Sequence, residues 1–130
     1  MYSKNMPVVL DTNALIRFFT NDMPDRATKV KELLENKKNK VIPEVVFPEL
    51  EYILTDQYDT SRENLVKIFQ FLASQKNIKF PKHIRKAIMI FEKSKLDMAD
   101  CIIASHALKG ELASFDKELL SVEEIKPFWS

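Results

Sequence analysis

A chain of 130 residues with 45% hydrophobic composition is long enough to bury one core, and twenty basic against nineteen acidic residues leave a formal net charge of +1. That balance excludes a broadly basic surface as the source of function, so an anionic substrate must be held locally. The single cysteine, Cys101, excludes an internal disulfide, the single glycine excludes the glycine-rich phosphate loops of nucleotide-binding proteins, and no apolar run reaches membrane-span length.

In chain order, the opening Met-Tyr-Ser-Lys-Asn-Met-Pro lacks the apolar centre of a signal peptide, which with the lone cysteine predicts a cytoplasmic protein. Pro7 to Leu10 reads as a buried strand and Ala14 to Phe19 as the start of a packed helix. Pro24 suits a first helical position, and Ala27, Val30, Leu33 and Leu34 recur at helical spacing behind it. Val41-Ile42 is a short strand ended by Pro43. Val45 to Leu54 reads as a helix that Pro48 kinks or restarts.

Thr60 with Glu63 fits a capping box, ahead of a helix whose Leu65, Ile68, Phe69 and Leu72 share a face. Ile78 to Phe80 is a strand candidate, and Pro81 opens a helix with an inward stripe of Ile84, Ala87, Ile88 and Phe91. Asp97 to Leu108 forms the next helix, which Gly110 terminates. Leu112 to Ser114 and Ile125 to Phe128 supply the last strands. Strands alternating with helices, with no hairpin signal between them, predict a single α/β domain over residues 1–130 with a parallel sheet.

The chemistry of this chain lies in its carboxylates. Asp11 and Asp116 each follow a short apolar run, where a parallel strand releases the chain at the ligand-binding edge of a sheet. Glu49 sits among Phe47, Leu50, Ile53 and Leu54, and Asp100 directly precedes Cys101 to Ala104. Singly, each acid has a bland reading as a helix cap or a solvated helix face. Jointly, carboxylates bordering apolar surface are expensive unless paired or bound to a cation. Pairs about 5 Å apart at an effective dielectric of about 20 repel by roughly 3 kcal/mol. Mg²⁺ or Mn²⁺ suits such hard oxygen ligands and supports hydrolysis of a phosphodiester. His83, His106 and Cys101 show no ligand pattern; His106 reads as a partly buried structural histidine and Cys101 as a small packed residue.

Four segments, Val8 to Arg17, Val45 to Leu54, Asp97 to Ala104 and Ser114 to Leu119, resemble in order and spacing the acidic motifs of PIN-domain ribonucleases. The closest likeness is to the toxins of VapBC toxin–antitoxin pairs. The resemblance implies a three-layer α/β/α fold around a mostly parallel sheet of about five short strands. It also implies a Mg²⁺- or Mn²⁺-dependent endoribonuclease whose catalytic and metal-binding acids are Asp11, Glu49, Asp100 and Asp116, with Asp97 as an auxiliary ligand. Asn13 and Ser114 match the supporting polar positions, where they either orient a carboxylate or stabilise a turn. Arg17 is a candidate RNA phosphate contact or an ordinary surface arginine. An antitoxin partner and often a homodimer follow from the same likeness. The alternatives are a PIN-like domain that binds RNA or protein without cutting and, more remotely, a phosphoacceptor domain, which the Asp11-Thr12-Asn13 run fits poorly.

Overall fold

The computed structural model describes residues 6–129, so most of the N-terminal polar stretch and Ser130 lie outside it. The described residues form two compact units, one running to Pro81 and the other from Lys82. The fold is mixed α/β with a parallel sheet. Among the described residues no helix is long and apolar enough to cross a membrane.

The first unit holds β1 (Val8–Val9), α1 (Thr12–Thr20), α2 (Pro24–Glu35), β2 (Lys40–Val41), α3 (Val46–Tyr58), α4 (Arg62–Ser74) and β3 (Ile78–Lys79). The strands run parallel in the order β1-β2-β3, with Val8 opposite Lys40 and Lys40 opposite Ile78. Parallel neighbours need a crossover, and helices supply each one. Leu10, Ile42 and Ile78 are buried, whereas Val9 is 62% exposed. The expected burial fails at Val9 because β1 is an edge strand and side chains alternate faces, so Val8 and Leu10 turn one way and Val9 the other.

Pro24 opens α2 as expected. Pro48 falls in the first turn of α3, where the backbone N–H has no helical partner to lose, so the helix starts just ahead of it rather than kinking. That helix extends past Leu54 to Tyr58 and closes on Asp59 in the left-handed region. The cap of α4 is Ser61, whose Oγ accepts from Asn64 N–H at 3.1 Å, one residue beyond the expected Thr60. Glu63 instead faces Lys67 at 3.7 Å. Phe47 lies against Phe69 and Phe80, with ring centroids 6.1 and 5.6 Å away, and burial of such rings contributes roughly 1.5–3 kcal/mol each.

The second unit holds α5 (His83–Lys93), α6 (Met98–Ala107) and α7 (Lys117–Leu120). Ile84, Ala87, Ile88 and Phe91 form the buried stripe of α5, and Met98, Cys101 and Ala104 are fully buried on α6. Gly110 is not at positive φ, so it does not close α6 as a left-handed cap; its N–H instead bonds Ala107 C=O at 3.0 Å in a turn. The two expected C-terminal strands reduce to one parallel bridge between Leu112 and Pro127. Leu112 N–H donates to Lys126 C=O and Phe128 N–H to Leu112 C=O, both at 2.8 Å, and the pairing goes no further among the described residues. Among the described residues the sheet therefore has three strands, not about five.

Lys40, on the central strand, is fully buried. Its Nζ donates to Asn36 C=O and, at 3.5 Å, to Leu34 C=O, placing a cation on the orphan carbonyls that end α2. Burial holds its ammonium below its usual 10.5. Lys40→Ala should lose about 2–5 kcal/mol in urea melts, because it deletes a long buried side chain and orphans those carbonyls. Lys40→Met should stay within about 1.5 kcal/mol by keeping the volume without desolvating a charge. The unfolded lysine holds its proton up to about 10.5 and the folded one releases it earlier. Wild-type stability should consequently rise relative to Lys40→Met as pH climbs toward 10.5.

Candidate metal centre

Each expected acid stands at the start of a helix. In the first unit, Asp11 leaves β1 as the N-cap of α1, yet its side chain makes no capping hydrogen bond, so the carboxylate is not consumed by the backbone. Glu49 is exposed in the first turn of α3, the helix that follows β2. Both line one hollow of about 310 Å³, together with Thr12, Asn13, Arg17 and Tyr58. The structure thus brings together Asp11, Asn13, Arg17 and Glu49. Thr12 is 2% exposed and its hydroxyl has no hydrogen-bond partner among the described residues.

Arg17 is not a free surface arginine. Its guanidinium donates to Asp22 at 2.7 Å, and Asp22 also accepts from Tyr58 Oη at 2.7 Å and Thr20 Oγ1 at 3.0 Å. The Tyr58 hydroxyl first, then the Arg17 guanidinium, hold the Asp22 carboxyl down to about 2. Arg17 therefore reaches the hollow with its charge already balanced, which weakens its expected role as a phosphate contact. Sequence reasoning missed this tie because its members are up to 41 residues apart.

In the second unit, Asp97 is the N-cap of α6, its Oδ1 accepting from Asp100 N–H at 2.8 Å. Asp116 caps α7 through one oxygen, Oδ1, which takes both Glu118 N–H at 3.0 Å and Leu119 N–H at 3.2 Å. Ser114 Oγ accepts from Asp116 N–H at 3.0 Å, so the turn-stabilising reading of Ser114 is the one realised. Asp100 is half-buried. Its carboxyl is held above the ordinary aspartate range, first by burial and then by the negative charges of Asp97, Asp116 and Glu118. Asp97, Asp100 and Asp116 are thereby one electrostatic group. Glu118 is a fourth member that sequence reasoning passed over, although its place two residues after Asp116 in a first turn was visible.

His106 is exposed rather than partly buried, because Cys101, Ile102, Ala104, Ser105 and Ala107 take the inward face of α6. Its ring lies 3.9 Å from that of His83, a pairing with no local sequence signal. Cys101 is fully buried, as a small packed residue should be. A second hollow of about 510 Å³ is lined by lysines 86, 93 and 95 and by Glu118, but not by Asp97, Asp100 or Asp116.

The donor set fits a hard divalent cation. Among the described residues none of Asp11, Glu49, Asp97, Asp100, Asp116 and Glu118 is paired with a lysine or arginine. Asp97 and Asp116 each keep a second oxygen without a partner. Oxygen-only, unneutralised carboxylate sites of this kind suit Mg²⁺ or Mn²⁺ rather than zinc.

Comparison with known families matches residues 8–125 to the PIN domain, over nearly the whole chain and across all four acidic segments. No curated protein matches the chain.

The burial and crowding of charge at Asp100 have a thermodynamic signature. The native state keeps the Asp100 proton to higher pH than the unfolded chain, whose value is near 3.8, so stability falls as pH rises through that window. In chelator, Asp100→Asn should melt at a higher temperature than wild type at pH 7, with the gain shrinking to nothing below about pH 3.8. Thermal melts of both proteins between pH 3 and 7 check this.

Proposed function

We propose that this chain, which belongs to the PIN domain family, is a Mg²⁺- or Mn²⁺-dependent endoribonuclease serving as the toxin of a toxin–antitoxin pair. PIN domains are generally nucleases, and the observation that carries the metal-dependent reading is the set of helix-start carboxylates left without protein cations. A divalent ion held by them would supply activation of a water and neutralisation of charge at the scissile phosphate.

Within that reading Asp11 and Glu49 are one pair of catalytic ligands and Asp100 and Asp116 another, each needed for cleavage. Asp97 is first a helix cap and only second a ligand, since its Oδ1 is engaged by Asp100 N–H. Asn13, exposed beside Asp11 on the hollow, positions substrate or water. Asp22, not phosphate, is the first partner of Arg17. An antitoxin would silence the enzyme by covering these acids, and a short reading frame encoded beside this one would support the pairing. We place the activity in the cytoplasm, which the free thiol of Cys101 suits.

Purified protein should cleave RNA with Mg²⁺ or Mn²⁺ and stop when a chelator is added. Asp11→Asn should reduce cleavage to background while melting close to wild type, because the Asp11 side chain has no capping hydrogen bond to lose. Cleavage by that variant at the wild-type rate would refute the site.

Metal at about 100 times its Kd should stabilise wild type by about 2.7 kcal/mol, and Asp11→Asn by much less. Asp100→Asn should lose most activity. Asp97→Asn should keep most of it, at a stability cost of up to about 1 kcal/mol, since asparagine also caps helices well. Parallel cleavage assays that rank Asp97 above Asp100 would reverse the two roles.

A further inference from the structure

Next to Asp116 the chain exposes three aromatic rings. Phe115 is 85% exposed, Phe128 57% and Trp129 50%. They are not scattered: Phe115 and Trp129 stack with centroids 4.8 Å apart and planes only 5° from parallel, and Phe128 meets Trp129 edge-on at 5.4 Å. The bridge between Leu112 and Pro127 sets the register that brings them together, since Phe115 follows Leu112 by three residues and Trp129 follows Pro127 by two. Clustered exposed rings of this size are uncommon on a soluble surface without a ligand to cover them.

We propose that Phe115 and Trp129, braced by Phe128, form a stacking subsite for an unpaired nucleobase of the RNA strand beside Asp116. This rests on the nuclease reading, which it deepens by naming the part of the substrate recognised. Three features favour a base over a protein side chain. The near-parallel planes of Phe115 and Trp129 have the geometry of a base stack, which a further base can continue, whereas protein aromatic pairs equally adopt edge-to-face contacts. Phe115 adjoins Asp116 in sequence, so a base held there belongs to a nucleotide near the scissile phosphate. Exposed Lys117 and Lys126 each lie two residues along the chain from one of the rings, Phe115 and Phe128, and offer charge to a phosphate backbone. A base within a duplex has no free face to offer, so the subsite selects single-stranded or loop RNA.

Trp129 is the only tryptophan in the chain, so its fluorescence reports on this platform directly. Titrating the full chain with a single-stranded RNA oligonucleotide, in chelator to keep the strand intact, should quench Trp129 saturably. The same sequence annealed to its complement should quench far less. Phe115→Ala should weaken the single-strand titration by roughly 5- to 150-fold, the range for loss of one stacked base. Phe115→Leu should weaken it similarly although it preserves apolar bulk, and Phe115→Tyr should restore it. Circular dichroism melts near wild type for each variant establish that the fold is intact.

Unchanged Trp129 emission at RNA concentrations that saturate cleavage overturns the subsite and leaves the nuclease reading standing. So does wild-type RNA affinity in Phe115→Leu, or emission that changes only with protein concentration, which would mark a contact between copies. Saturable quenching with no cleavage under any divalent metal would do the reverse, supporting the subsite and overturning the nuclease.

Discussion

Parallel strand pairing is the constraint from which the placement of the first unit's acids follows. Because β1, β2 and β3 run the same way, each strand hands the chain to a helix at the same edge. Asp11 and Glu49 ride on the first turns of two such helices. With strands of two residues the ladder supplies few hydrogen bonds, and the apolar faces of the helices supply most of the burial. Lys40 ties the two kinds of element together, its stem buried on the central strand and its ammonium on the last carbonyls of α2.

The same device recurs in the second unit, where Asp97 and Asp100 begin α6 and Asp116 and Glu118 begin α7. A helix start offers an anion a partial positive charge worth about 0.3–1 kcal/mol at an exposed site. Repulsion within a close carboxylate pair is roughly 3 kcal/mol at an effective dielectric of about 20. The helix ends therefore position the acids without neutralising them. At Asp100 burial first, and then the charges of Asp97, Asp116 and Glu118, hold the proton on. A divalent cation is the balance we propose for these acids, in a family whose members are generally nucleases.

What was legible in the sequence was what depends on neighbours a few residues away. The apolar stripes of α4 and α5, the first-turn Pro24 and the Asp97 cap follow from local periodicity and from the hydrogen bonds a short polar side chain can make. The acidic segments were legible because several short patterns coincide in order. The features that escaped depend on residues far apart in the chain. Tyr58 reaches Asp22 across 36 residues, His83 meets His106 from a different helix, and the expected C-terminal strands amount to one bridge. Ser61 rather than Thr60 caps α4 because the helix begins at Arg62, a one-residue choice that composition alone does not decide.

The near absence of glycine affects the state that no fold describes. Gly110 adopts ordinary backbone with open space where a Cβ would sit, while the left-handed positions are filled by Asn21 at φ 52°, Asp59 at φ 51° and Glu124 at φ 73°. Asparagine and aspartate enter that region at little expense, and Glu124 less readily. A chain so poor in glycine has fewer conformations to give up when it orders. Each glycine replaced by a residue with a Cβ is worth about 0.4–1 kcal/mol where the native backbone tolerates it. Part of this protein's stability is thus held in the narrowness of its denatured ensemble.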